Sequence, residues 1–83
     1  MGEKPHVANR LREIRRQSGL TQEKLAENLD VTRHTILALE VGRYVPSIEL
    51  ALRLAAYFHR PLESIFWLEP EDAQNGESAD KKR

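Results

Sequence analysis

The stretch Gln22-Glu23-Lys24-Leu25-Ala26-Glu27-Asn28-Leu29, followed by Asp30-Val31-Thr32 and then Arg33-His34-Thr35-Ile36-Leu37-Ala38-Leu39-Glu40, decides the fold of this chain of 83 residues. Thr21 and Thr32 each stand just before an apolar-periodic run, where a hydroxyl can accept from the first unpaired backbone N–H groups of a helix. In the first run Glu23 falls in the positive first turn, and Leu25, Ala26 and Leu29 form one apolar stripe. In the second run Ile36 and Leu39 point inward. Two helices of about eight residues joined by the turn over 28–32 have the outline of a helix-turn-helix. The spacing is specific. Counting Gln22 as the first position, Ala26 is fifth, where two helices cross closely and a larger side chain would part them. Val31, Ile36 and Leu39 are tenth, fifteenth and eighteenth, where the second helix needs apolar anchors.

Outward from this pair, a first helix is expected over 9–17, with Leu11 and Ile14 on its inner face and Gly19 stopping it. Gly42 ends the third helix ahead of the loop Arg43-Tyr44-Val45-Pro46. Ser47 caps a fourth helix, in which Ile48, Ala51, Leu54, Ala55 and Phe58 recur at helical spacing as far as about His59. Pro61 suits the first turn of a short fifth helix reaching about Ile65. Phe66-Trp67-Leu68 is too short for a helix and reads as a strand or an interface. The expected architecture is therefore mainly α, with five short helices. Residues 6–69 form the domain and 1–5 a flexible arm, although His6-Val7-Ala8 can pair with another extended segment. Residues 70–83, whose apolar residues are two alanines, form a disordered polar tail.

Composition removes other classes. There is no cysteine, so disulfides and thiolate zinc sites are excluded and the core must hold by packing. No apolar run approaches the ~20 residues of a membrane span, and the first fifteen residues lack a signal-peptide core, so a cytoplasmic protein is expected. His6, His34 and His59 are far apart in sequence and form no ligand pair on one helical face, so no metal is expected. Glu23 and Glu27 share a face, as carboxylates on solvated helices routinely do. With no Ser/His/Asp grouping and no Gly-rich phosphate loop, neither catalysis nor a cofactor is expected. No second domain is visible to house a small-molecule pocket. The formal net charge is zero, yet residues 1–68 hold ten bases against eight acids, and 69–83 three against five. Arg10, Arg12, Arg15 and Arg16 fall within seven positions, either as a solvated helix face or as a basic one.

Gly19-Leu20-Thr21-Gln22, Leu25-Ala26 and Ile36-x-x-Leu39-Glu40-x-Gly42-Arg43 resemble the Cro/repressor-type (XRE) helix-turn-helix regulators over roughly 9–69. Thr32-Arg33-His34-Thr35-Ile36, Gly42-Arg43-Tyr44-x-Pro46-Ser47 and Pro61-Leu62-Glu63-x-Ile65-Phe66 look most like small dimeric repressors such as the cytolysin repressor. The resemblance implies a five-helix, lambda-repressor-like domain with a small antiparallel β-ribbon made by 6–8 and 66–68. It also implies a structural ion pair between Arg15 and Glu40. Two positions depart from the family pattern. Asp30 replaces the usual turn glycine, which Asp tolerates because it visits left-handed conformations. Val41 replaces a polar residue, often Asn, that bonds the phosphate backbone in relatives.

A helix that enters the major groove by its N-terminal end presents Arg33, His34, Leu37 and Ala38 to base edges. Arg33 has the donor fork for guanine O6 and N7, although a solvated first-turn arginine is the plain alternative. Leu37 or Ala38 can lie against a thymine methyl. Phosphate contacts are expected from Gln22, Thr32, Thr35, Arg43 and Tyr44; Tyr44 can instead pack over the fourth helix. Ile65, Phe66, Trp67 and Leu68 are expected to form a dimer interface, because so small a domain has little room to bury them all. The expected function is sequence-specific binding of double-stranded DNA, as a homodimeric repressor on a palindromic operator. An antitoxin-type module that binds a partner protein as well as DNA is the alternative.

Overall fold

Among the described residues, each α-helix follows a side chain that accepts an otherwise unpaired backbone N–H. The computed structural model describes residues 6–69, in the order β1 (His6–Asn9), α1 (Leu11–Gln17), α2 (Gln22–Leu29), α3 (Arg33–Glu40), α4 (Ile48–Phe58), a 3-10 turn (Leu62–Ser64) and β2 (Phe66–Glu69). The arm expected over 1–5 and the tail expected over 70–83 lie outside the described residues. Thr21 Oγ1 accepts from the Lys24 N–H at 3.0 Å, Thr32 Oγ1 from Thr35 at 3.2 Å and Ser47 Oγ from Leu50 at 3.1 Å. These three caps fix where α2, α3 and α4 begin.

The start of α1 differs from the expected one. Asn9 is the last residue of β1, and its Oδ1 accepts from the Leu11 N–H at 2.9 Å, so it caps the helix from outside. Its Nδ2 donates at 2.9 Å to the carbonyl of Leu39 near the end of α3. β1 and β2 pair antiparallel in the register His6↔Glu69, Val7↔Leu68, Ala8↔Trp67 and Asn9↔Phe66, and the Arg10 N–H continues the pairing to the Ile65 carbonyl at 3.0 Å. The ribbon thus closes the helical unit by joining its two ends.

The fifth helix is a correction: among the described residues there are four α-helices, and the segment after Pro61 makes only a 3-10 turn. Ser64 and Ile65 donate to the carbonyls of Pro61 and Leu62 at 3.0 and 2.9 Å, three residues back. With β2 beginning at Phe66, too few residues remain for α-helical hydrogen bonds to propagate beyond the costly first turn.

Leu11, Leu25, Ile36, Leu39, Leu54 and Ile65 are fully buried, so every helix and the chain leading into β2 contribute to one core. Ala26 is buried where α2 meets α3, and the Val31 N–H reaches the Ala26 carbonyl at 3.0 Å across the turn. Ile48 is a second correction. It is 79 % exposed, whereas Leu50, Ala51 and Leu54 form the buried face of α4. At about 100° per residue Ile48 lies roughly 40° from Leu52 and well round from Leu50 and Leu54. Ile48 and Leu52 therefore form an apolar pair on the outer side of α4.

Candidate nucleic-acid interface

The turn that sets α3 against α2 depends on Asp30, which adopts φ +60° and closes α2 in the left-handed conformation. α3 then buries Ile36 and Leu39 and turns its first residues outward. Arg33 and His34 are exposed and make no ion pair or side-chain hydrogen bond among the described residues. Leu37 and Ala38 are half-buried, less open than expected, because they flank the stripe that anchors the helix. Thr32 is exposed, and its hydroxyl lies 3.1 Å from that of half-buried Thr35 while it caps α3.

Glu40, the last residue of α3, has a fully enclosed carboxylate on which three side chains converge. Arg15 of α1 donates to it through both Nε and Nη2, the latter at 3.2 Å, and its Nη1 donates to the Leu20 carbonyl at 2.8 Å. Gln22 Nε2 donates at 3.1 Å, and Arg12 Nε stands 3.5 Å away. Burial alone would raise the carboxyl, but the hydrogen bonds from Arg15 and Gln22 and the Arg15 charge outweigh it and hold Glu40 below its ordinary value. Gln22 is therefore half-buried and tied inward at one amide hydrogen, with the other remaining to donate. Neither this tie nor the two-sided role of Asn9 was foreseen from the sequence. The bonds span 18 and 30 residues and leave no local signal.

The loop after α3 is pinned by the Gly42 N–H to the Leu39 carbonyl at 3.1 Å and by the Arg43 N–H to the Ala38 carbonyl at 3.0 Å. Gly42, at φ +83°, makes the reversal. Arg43 and Tyr44 are exposed in the loop that follows the C-terminal end of α3, and Tyr44 stands apart from the core cluster. Val41 is exposed in the same loop.

At the far end, Ile65 and Phe66 belong to the core of the chain itself, so they offer little of the surface they were expected to lend to a partner, Phe66 only where it lines an apolar cleft. Trp67 is half-buried, with the Arg10 guanidinium 5.1 Å from its ring centroid, and Leu68 is 67 % exposed. Val45, Ile48, Trp67 and Leu68 border an apolar cleft of about 250 Å³. Among the described residues no cluster of three or more His, Cys, Asp or Glu could hold a metal, and no helix is long and apolar enough to cross a membrane.

Two capped helices at this spacing, with the second held by its inner stripe and open at its first turn, define a helix-turn-helix protein. A family profile described as helix-turn-helix matches residues 11–65, and the chain belongs to that family, the XRE-type helix-turn-helix regulators. It is similar to the HTH-type transcriptional regulator YgzD of Bacillus subtilis, 47% identical over 66 residues that cover 80% of this chain and 100% of the relative. It is also similar to HTH-type transcriptional regulators of two archaea. The identity is 52% with that of Methanothermobacter thermautotrophicus, over 77% of this chain and 94% of the relative. With that of Methanocaldococcus jannaschii it is 44%, over 80% of this chain and 100% of the relative.

Proposed function

We propose that the chain is a sequence-specific DNA-binding transcriptional repressor of the cytoplasm, acting as a homodimer on a palindromic operator with α3 in the major groove. The observation that carries this is the first turn of α3. Its backbone is fixed by the Thr32 cap and its far end by Glu40, while Arg33 and His34 stand free of partners among the described residues. Side chains that are open, donor-rich and mounted on a rigid helix suit base edges. Arg33 reads guanine, His34 bonds a base acceptor, and Leu37 and Ala38 offer a shallow apolar contact to a thymine methyl. Thr32, Thr35, Arg43 and Tyr44, with the free amide hydrogen of Gln22, hold phosphates and set register.

Dimerisation rests on the exposed apolar side chains Val45 (61 %) and Ile48 (79 %), which border the same apolar cleft as Trp67 and Leu68, with Leu52 (54 %) one turn beyond Ile48 on α4. A patch of this kind on so small a protein marks an interaction site. A two-fold partner there places two α3 helices one DNA turn apart, at about 34 Å.

The reading is tested by separating reader from anchor. Arg33→Ala should relax preference at one base pair in each half-site, with a loss of ~1–3 kcal/mol of discrimination. Arg43→Ala should weaken all sequences alike and flatten the salt dependence of log K by about one unit. Binding selections on both variants check this. Intact preference in Arg33→Ala with altered preference in Arg43→Ala would reverse the assignment.

A further inference from the structure

Arg12 and Arg16 of α1 have no part in the DNA contacts proposed above, and Arg12 otherwise only approaches Glu40, at 3.5 Å. They are four residues apart, so they share a helix face, and both are exposed. They border an open cleft of about 480 Å³ whose other walls include Thr21, Glu23 and the phosphate-assigned Gln22 at the start of α2 and Arg33 at the start of α3. Arg15 also lines it, but its charge is neutralised by Glu40. That single carboxylate already accepts both Arg15 nitrogens and the Gln22 amide, so the charge of Arg12, about half exposed at 3.5 Å, is in excess there. Arg16 and Arg33 make no ion pair among the described residues. Arg12 and Arg16 also border the neighbouring groove on the other flank of α1, together with Glu13 and Glu40. The cleft thus gathers two unpaired guanidinium groups, Arg16 and Arg33, and a third, Arg12, that shares the Glu40 carboxylate with Arg15, against one carboxylate in its own wall, Glu23.

We propose that this cleft seats a backbone phosphate of the bound duplex, gripped by Arg12 and Arg16, and that α1 is a third anchor beside α3 and the 43–44 loop. The inference rests on α3 lying in the major groove. Because Arg33 opens α3 and also lines the cleft, the strand that borders the groove passes the cleft mouth. A guanidinium fork matches phosphate oxygens two at a time, and three positive groups at close quarters favour an anion over their own separation. Glu23 opposes the phosphate and weakens the grip.

The test uses the full chain, a mixed-sequence duplex and duplexes recovered by selection, each titrated across a salt series. The double variant Arg12→Gln/Arg16→Gln should bind both duplexes more weakly by a similar factor, with the slope of log K against log salt shallower by about one unit. Its sequence preference should be that of the wild type. Glu23→Gln should do the opposite and tighten both several-fold, an effect that mere loss of structure cannot produce. Arg16→Gln alone, at a side chain bonded to nothing in the described fold, should still flatten the slope, by a fraction of that unit, and decides the matter if the double variant unfolds. Unchanged slopes in a folded variant, or a shifted sequence preference, would overturn the phosphate seat while leaving the proposed function standing. A wild type that binds no duplex would overturn both.

Discussion

Glu40 brings one negative charge into an enclosed place and is held there by Arg15, Gln22 and Arg12. Removing one partner of such a pair leaves the other buried and unmatched, so Arg15→Met should destabilise the fold by on the order of 3 kcal/mol in chemical denaturation. The pH dependence has a definite sign. The folded carboxyl lies below its ordinary value near 4.5, so its contribution is fully present above that value and is lost as pH falls through the folded one. Thermal midpoints taken from neutral to acid should fall in this window, and Glu40→Gln should flatten the fall. An equal acid loss in Glu40→Gln would show that other carboxylates govern it. The pairing of Arg15 with Glu40 was suggested by family likeness alone. The partners Gln22 and Arg12 were not legible, because amphipathic spacing says which side faces inward and not which polar groups meet there.

Helix boundaries were legible wherever a cap is local. Thr21, Thr32 and Ser47 each bond an N–H three residues on, and the apolar stripes of α2 and α3 are those the spacing predicts. Thr32→Ala should cost about 1 kcal/mol and loosen the first turn of α3, measurable as faster amide exchange there. The boundaries that depend on distant contacts were not legible. The start of α1 is set by Asn9 from the ribbon, and the segment after Pro61 is cut short because Phe66 is drawn into β2. Left-handed residues divide in the same way. Asp30 is tolerable at φ +60° on its chemistry, whereas His59, at φ +56°, closes α4 without such an advantage. His59→Gly should therefore raise stability by about 0.5–1 kcal/mol, the relief of a left-handed L-residue less the entropy cost of glycine. Asp30→Gly should change it less. The reverse order of thermal midpoints would contradict this account.

As a whole, the protein presents a basic first turn of α3, partner-free among the described residues, and, elsewhere, an apolar patch made by the loop before α4, the outer side of α4 and β2. The patch was placed too deep from the sequence, since three consecutive apolar residues do not reveal which of them the protomer keeps for its own core. Ile48→Glu with Leu68→Glu changes only exposed side chains, so the variant should stay folded and sediment as a monomer. A wild type that sediments as a monomer at high micromolar concentration would remove the dimer. The central claim joins this assembly to the recognition helix, and selection of bound sequences from a random duplex pool by the wild-type chain tests both together. A two-fold symmetric site with half-sites about 10–10.5 base pairs apart, centre to centre, is the expected result. Recovery of no enriched sequence, or of a single unrepeated element, would contradict it.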